Sequence, residues 1–240
     1  MPTIPVMIDL HCHILPGVDD GPQSFEEAVA MAKIAVEDGV TIVAATPHIL
    51  PNSYQATELA DILTQLNNRL LDLNIPLKLF MGAEVSFQMP PSMLKGYTIN
   101  NTSYVLIEFP HSHLPADAGQ IIFNLQVNGF LPIIAHPERN PSVIKDPSSI
   151  LNLLGEGVYL QLTAASVAGK FGKSVQKCAV KLLESGCVHL LGTDAHSPIG
   201  RRPILSQGLK AASKVIGAEK ALKLVTVNPE AVIAGKPISC

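Results

Sequence analysis

Seven short apolar runs rich in Val, Ile and Leu recur along this chain of 240 residues, at 5–11, 41–46, 77–84, 104–109, 131–136, 158–163 and 188–194. Most are apolar on both faces, as a strand covered from both sides of a parallel sheet must be. Helix-like segments separate them near 24–38, 55–74, 116–129, 147–155 and 173–186, and Ser24 with Glu27 has the spacing of a capping box. Further helices are expected near 203–216, 218–225 and 229–234, with Asn228-Pro229 opening the last. Such alternation makes βα units and a parallel sheet. An open, doubly wound sheet is the competing arrangement, but it announces itself with a Gly-rich turn after the first strand, and here His11-Cys12-His13 stands in that place.

No low-complexity linker divides the sequence, so one domain over 1–240 is expected, and 47% hydrophobic residues can supply its core. The net charge of −3 comes without any Lys/Arg run of the kind that tracks a phosphate backbone, which argues against nucleic acid as a partner. No stretch approaches the roughly 18 apolar residues of a membrane span, and Met1-Pro2-Thr3-Ile4-Pro5 lacks the order of a signal peptide. The expected location is cytoplasmic, with Cys12, Cys178, Cys187 and Cys240 as free thiols.

The chemistry concentrates where the runs end. On an extended strand residues i and i+2 face the same way, so His11 and His13 can grip one ion while Cys12 points to the other side. Taken alone, a His-x-His pair is equally compatible with two histidines satisfied by polar neighbours. However, Asp20 lies in the loop after the first strand, His48 ends the second, Glu84 the third, Glu108 the fourth, His136 the fifth, and Asp194 with His196 the seventh. In a parallel barrel those C-terminal ends share one face, where barrel active sites are built. So many buried charges require cations, and nine ligands exceed what one ion needs, which implies a cluster of two or three with a bridging carboxylate.

Taken together, Ile8-Asp9-Leu10-His11-Cys12-His13, Val18-Asp19-Asp20-Gly21-Pro22, Gly82-Ala83-Glu84, Ile107-Glu108-Phe109, His136-Pro137-Glu138-Arg139 and Arg201-Arg202-Pro203 resemble the PHP (polymerase and histidinol phosphatase) superfamily. Within it they are similar to the manganese-dependent bacterial protein-tyrosine phosphatases of capsule and exopolysaccharide operons. The resemblance spans nearly the whole chain and implies a distorted, TIM-barrel-like (β/α)7 barrel with a trinuclear site. It implies one ion on His11, His13, Glu84 and Asp194, a second on Glu84, Glu108 and His136, and a third on Asp20, His48 and His196. Asp20 and Glu108 stand where other branches often have histidine, which favours Mn²⁺ over Fe or Zn. The implied partner is a phosphotyrosyl protein, a bacterial tyrosine kinase of polysaccharide synthesis. A small-molecule phosphomonoesterase such as histidinol-phosphate phosphatase is the alternative. A metal-dependent amidohydrolase would want a carboxylated Lys where Glu108 stands, and a non-enzymatic module would be expected to show a degraded ligand set.

Hydrolysis by a metal-bound hydroxide is the expected mechanism, because no cysteine begins a Cys-x5-Arg phosphate loop. Arg139 and Arg201, in the same loops as ligands, are the candidate phosphate clamps, with Arg202 balanced between clamp and surface residue. Asp9 either orients a ligand or faces inward with a polar partner, and Asp19 suits a turn cap. His111 and His113 read as loop histidines after the fourth strand.

Overall fold

The computed structural model describes residues 6–51 and 53–238. Pro5, in the first predicted strand, and Cys240, read as a free thiol, lie outside them. Among the described residues nine strands form: β1 Met7–Cys12, β2 Val40–Ala45, β3 His48–Ile49, β4 Lys78–Met81, β5 Glu84–Ser86, β6 Tyr104–Glu108, β7 Leu131–Ala135, β8 Tyr159–Thr163 and β9 Leu190–Gly192. All pair in parallel, in the orders β1-β2-β4 and β3-β5-β6-β7-β8-β9.

The nine correspond to seven predicted runs, two of which resume after a break as the short strands β3 and β5. Thr46-Pro47 ends the run 41–46, after which β3 carries the strand on to Ile49, while Gly82-Ala83 interrupts 77–84 and β5 carries it on to Ser86. Both breaks fall side by side. Pro47 has no N–H to give a ladder, and a Cβ at Gly82 would lie 3.0 Å from Thr46 Cγ2. Pairing nevertheless continues across the break, where Gly82 N donates to Ala45 O (2.9 Å) and Glu84 N to Pro47 O (3.0 Å). This bend brings His48 into register with Glu84.

At the far edge Asp194 N donates to His11 O (2.7 Å) and His13 N to Ala195 O (2.8 Å). The sheet therefore curls until its first and last strands meet at their C-terminal ends. A register shift between Asp9 and Cys12 in β1 acts as a bulge, letting consecutive residues Leu10 and His11 both face inward. Cys12 then joins the outer apolar cluster, opposite to the histidines, as the spacing predicts.

Side chains alternate between two cores. Ile8, Leu10, Tyr104, Leu106, Ile133 and Leu190 line the inner face, and Val232 and Ile238 close it from the C-terminal segment. There the Tyr104 hydroxyl donates to Lys236 O (2.7 Å). The larger outer core packs Val43, Val105, Ile107, Leu160 and Leu162 against helix residues such as Ala32, Leu66 and Leu183. With one end stoppered, polar side chains gather at the other.

Helix Phe25–Glu37 is capped by Ser24, whose Oγ accepts from Glu27 N (3.2 Å), but Glu27 reaches Gln23 N rather than closing the box on Ser24. Of the helix expected over 147–155 only Ser148–Leu151 forms, where Asp146 Oδ1 accepts from Ser148 N (3.0 Å), and a helix that was not expected, Pro141–Lys145, precedes it and stops before Pro147. The turn Ala164–Val167 was not expected. No helix among the described residues is long and apolar enough to cross a membrane.

Candidate metal centre

All nine residues expected to ligate metal come together at the C-terminal strand ends. Three overlapping groups form, each with ligand atoms within 4.8 Å of one another: His11, His13, Glu84 and Asp194; His13, Asp20, His48 and His196; and His48, Glu84 and Glu108. The first matches the set implied from sequence. In the third, His48 takes the corner expected of His136, although His136 Nε2 lies 2.8 Å from Glu84 Oε1 and 3.5 Å from Glu108 Oε1.

Hydrogen bonds behind the histidines decide which ring nitrogen faces the centre. The Gln161 amide donates to Leu162 O (2.7 Å), which turns its carbonyl oxygen to His11 Nδ1 (2.7 Å). Asp19 Oδ2 accepts from His13 Nδ1 (2.6 Å), and Asp194 O from His196 Nδ1 (3.1 Å). With Nδ1–H committed, Nε2 is the coordinating atom on all three rings. His11 and His13 then point two Nε2 atoms at each other across 3.2 Å. Glu84 Oε2 sits 3.3 Å from both and 3.1 Å from His48 Nδ1, yet is buried with no hydrogen bond. Facing lone pairs around an orphaned carboxylate oxygen require positive charge between them, and this donor set fits a divalent cation.

Charge demand is visible in the acidities. Burial alone would lower the His13 pKa, but Asp19 and Glu84 outweigh it and raise it to about 10, so a proton is held where a cation fits. Asp19 in turn falls to about 2 despite its burial, held down by His13. Glu84 is kept well below the ordinary range by His11 and His136 against the cost of burial. Burial and the neighbouring Glu84 charge push Glu108 up to about 7. Burial lowers His136 to about 4; burial, then His13 and Arg201, does the same to His196.

Two of the nine residues carry unusual backbones. His136 (φ 33°) and Asp194 (φ 52°) lie in the left-handed region; the other such non-glycine residues described are Asn74, Asn100 and Asn101, a type that tolerates it. Residue 136 follows β7, where simple alternation with inward Ala135 would send it outside; the left-handed turn brings it back to Glu84. Arg139 sits one short turn later and Arg201 at the close of the 196–201 loop, where its carbonyl accepts from His196 N (2.9 Å). Both guanidinium groups bind Asp194 Oδ2.

Sequence reading named part of the support, Asp19 as a turn cap and Asp9 with a polar partner, and missed the rest. Gln161 is a lone polar residue in an apolar strand, and Asp19 proves to be both turn cap, accepting from Gly21 N (3.0 Å), and partner of His13. Asp9 accepts from Thr193 N (3.0 Å) and the Thr193 hydroxyl, fixing the residue before Asp194. Glu138 Oε1 accepts from Thr163 N (3.0 Å), tying the His136–Arg139 turn to β8. His111 lies closer to the centre than a plain loop histidine, 3.1 Å from Glu108 and stacked on His136, whereas His113 bonds only Ser112. Gln161→Leu is expected to weaken metal affinity about 10- to 100-fold by titration calorimetry, because His11 loses the acceptor that fixes its ring.

The family model for capsular polysaccharide synthesis, CpsB/CapC, matches residues 7–234. The chain is 36% identical to the tyrosine-protein phosphatase YwqE of Bacillus subtilis (strain 168), over 97% of this chain and 93% of that protein. It is 29% identical to the tyrosine-protein phosphatase CpsB of Streptococcus pneumoniae, over 95% and 98% respectively. Its fold overlays a chain from the crystal structures of YwqE and CpsB, described as metal-dependent tyrosine phosphatases, with a TM-score of 0.91, 35% identity and coverage of 97% and 96%. A lactonase of Deinococcus radiodurans at 14% identity and a TM-score of 0.59 shares the fold alone.

Proposed function

The chain belongs to the capsular polysaccharide synthesis CpsB/CapC family, and from that premise we propose that it is a metal-dependent protein-tyrosine phosphatase. Two or three divalent ions, Mn²⁺ foremost, are held by His11, His13, Asp20, His48, Glu84, Glu108, His136, Asp194 and His196 within one PHP-type (β/α)7 barrel over 1–240. The observation that carries this reading is Glu84, whose Oε2 is buried without a hydrogen bond among the imidazoles of His11, His13 and His48 while Oε1 meets His136.

When bound, the ions neutralise the phosphoryl oxygens and acidify water enough to serve as nucleophile. The protein does the rest. Asp19, Gln161 and the Asp194 carbonyl hold the imidazoles in their coordinating tautomers. Arg139 and Arg201 swing from Asp194 onto the equatorial oxygens of the phosphoester, where planar guanidinium groups donate paired hydrogen bonds. A protein thiolate is a poor candidate: burial raises the Cys12 thiol far above its usual range and pushes Cys178 up to about 12. A phenolate leaving group, with a pKa near 10, departs without a strong general acid.

The substrate is proposed to be a phosphotyrosyl tail of a cytoplasmic kinase that drives polysaccharide assembly. Purified protein is expected to contain two or three metal ions per chain, to lose turnover in chelator and regain it with Mn²⁺, and to hydrolyse a phosphotyrosyl peptide faster than histidinol phosphate. Faster histidinol phosphate turnover would transfer the assignment to a small-molecule phosphatase. A folded protein that binds no metal would end it.

A further inference from the structure

Beside the metal centre lies a cavity of 370 Å³ that shares Asp194 and Arg201 with it and runs outward to Phe171, Lys170 and Arg202. Resting on the phosphatase reading above, we propose that this cavity is the substrate-selecting pocket, in which Phe171 stacks on the aryl ring of the phosphoester while Lys170 and Arg202 bind an acidic side chain beside it.

Phe171 is placed for that role. The residue is 37% exposed and packs in neither apolar cluster, so its ring is available to the cavity. The Arg139 guanidinium carbon stands 5.4 Å from the ring centroid, so the aromatic surface borders one of the two arginines that reach Asp194. A phosphoester whose phosphoryl group takes those arginines projects its next atoms into the cavity. An aryl ester places a flat ring there, within stacking distance of Phe171. An alkyl ester places only a thin chain and gains nothing from the wall.

The loop presenting the ring is built to hold it. Gly169 (φ 82°) and Gly172 (φ 93°) bracket Lys170-Phe171 in conformations that other residues adopt only with strain. Gly169 N donates to Ser166 O (3.0 Å) and Lys170 N to Ala165 O (2.9 Å), pinning the loop to the turn Ala164–Val167 directly after β8. Glu138, on the Arg139 turn, bonds the end of the same strand, so ring and arginine share one support.

Charge gives the second half. Asp194 is the only carboxylate lining the cavity, and Arg139 and Arg201 already neutralise it. Lys170 and Arg202 form no ion pair among the described residues, which leaves the outer cavity positive. A peptide anion there exchanges water for two cations at a partly exposed site, a gain that improves selection more than raw affinity.

The test compares kcat/KM of the Mn²⁺-loaded enzyme on a phosphotyrosyl peptide with Asp neighbours, the same peptide with Asn neighbours, and glycerol phosphate. For F171A the expected result is a fall of about tenfold on both peptides and less than twofold on glycerol phosphate, with F171W restoring the peptides. For K170A/R202A the preference for Asp over Asn neighbours, expected at several-fold in the wild type, is expected to disappear. Equal losses by F171A on aryl and alkyl esters would reduce Phe171 to a prop for Arg139 and overturn the proposal, as would no loss on the peptides. A wild type indifferent to the neighbours would overturn the role of the two cations. Failure of the wild-type, metal-loaded enzyme on every phosphoester would instead refute the phosphatase reading beneath it.

Discussion

E84Q is expected to lower turnover of a phosphotyrosyl peptide by about a thousandfold or more while leaving the protein folded. Glu84 Oε2 lies 3.1 to 3.3 Å from His11, His13 and His48, and Oε1 lies 2.8 Å from His136, so one carboxylate serves two of the three ligand groups. Glutamine fills the same volume but replaces one oxygen with an amide that points hydrogens at imidazole lone pairs. It therefore removes a negative charge and adds a steric reason for an ion to stay away. The backbone has no such dependence: β5 is held between β3 and β6 by main-chain pairing, and the neighbouring Val85 packs in the outer core. Elemental analysis is expected to show at least one ion lost per chain, with the far-ultraviolet circular dichroism unchanged. E108Q should cost less than E84Q, since Glu108 belongs to a single group and is partly exposed. If E84Q kept both its metal and its turnover, the cluster would be wrongly drawn.

The gathering of the nine candidate ligands was legible in the sequence because all but the loop residue Asp20 stand at or just past the end of an apolar run, and the parallel order then forces the ends together. His11 and His13 needed only the local period of a strand, even though a bulge between Asp9 and Cys12 changes which of their neighbours face inward. The breaks in runs 41–46 and 77–84 were less visible. Pro47 and Gly82 are local signals, but what makes them a shared bend is their adjacency across β2 and β4, a tertiary fact. Gln161 was invisible for the same reason: it lies 150 residues from His11 in sequence, and nothing in Tyr-Leu-Gln-Leu-Thr shows that the amide meets an imidazole. Arg139 and Arg201 could be named from their loops, but not that both rest on Asp194. Left-handed turns at His136 and Asp194 leave only a weak trace in the sequence, since histidine and aspartate are enriched in that region but far less telling there than glycine.

That last feature gives the second large effect. D194N and D194A are both expected to lose about 10²- to 10³-fold in turnover, because each removes the charge shared between the metal group and the two arginines. They should differ in stability. Asp194 holds φ 52°, a region that asparagine enters readily and alanine only at a cost of about 1–2 kcal/mol. The main-chain bond from Asp194 N to His11 O and the bond from the His196 imidazole Nδ1 to Asp194 O persist in both variants and keep the loop in that conformation. The metal-free D194A protein is therefore expected to melt roughly 2–8 °C below D194N, by calorimetry in chelator. Equal melting temperatures would mean that the loop relaxes out of the left-handed region and that its strain is not maintained by the β1–β9 closure. The kinetic loss should fall mainly on kcat: without Asp194 the arginines are free to bind a phosphoester in its ground state, while the ion group that stabilises the transition state has lost a corner.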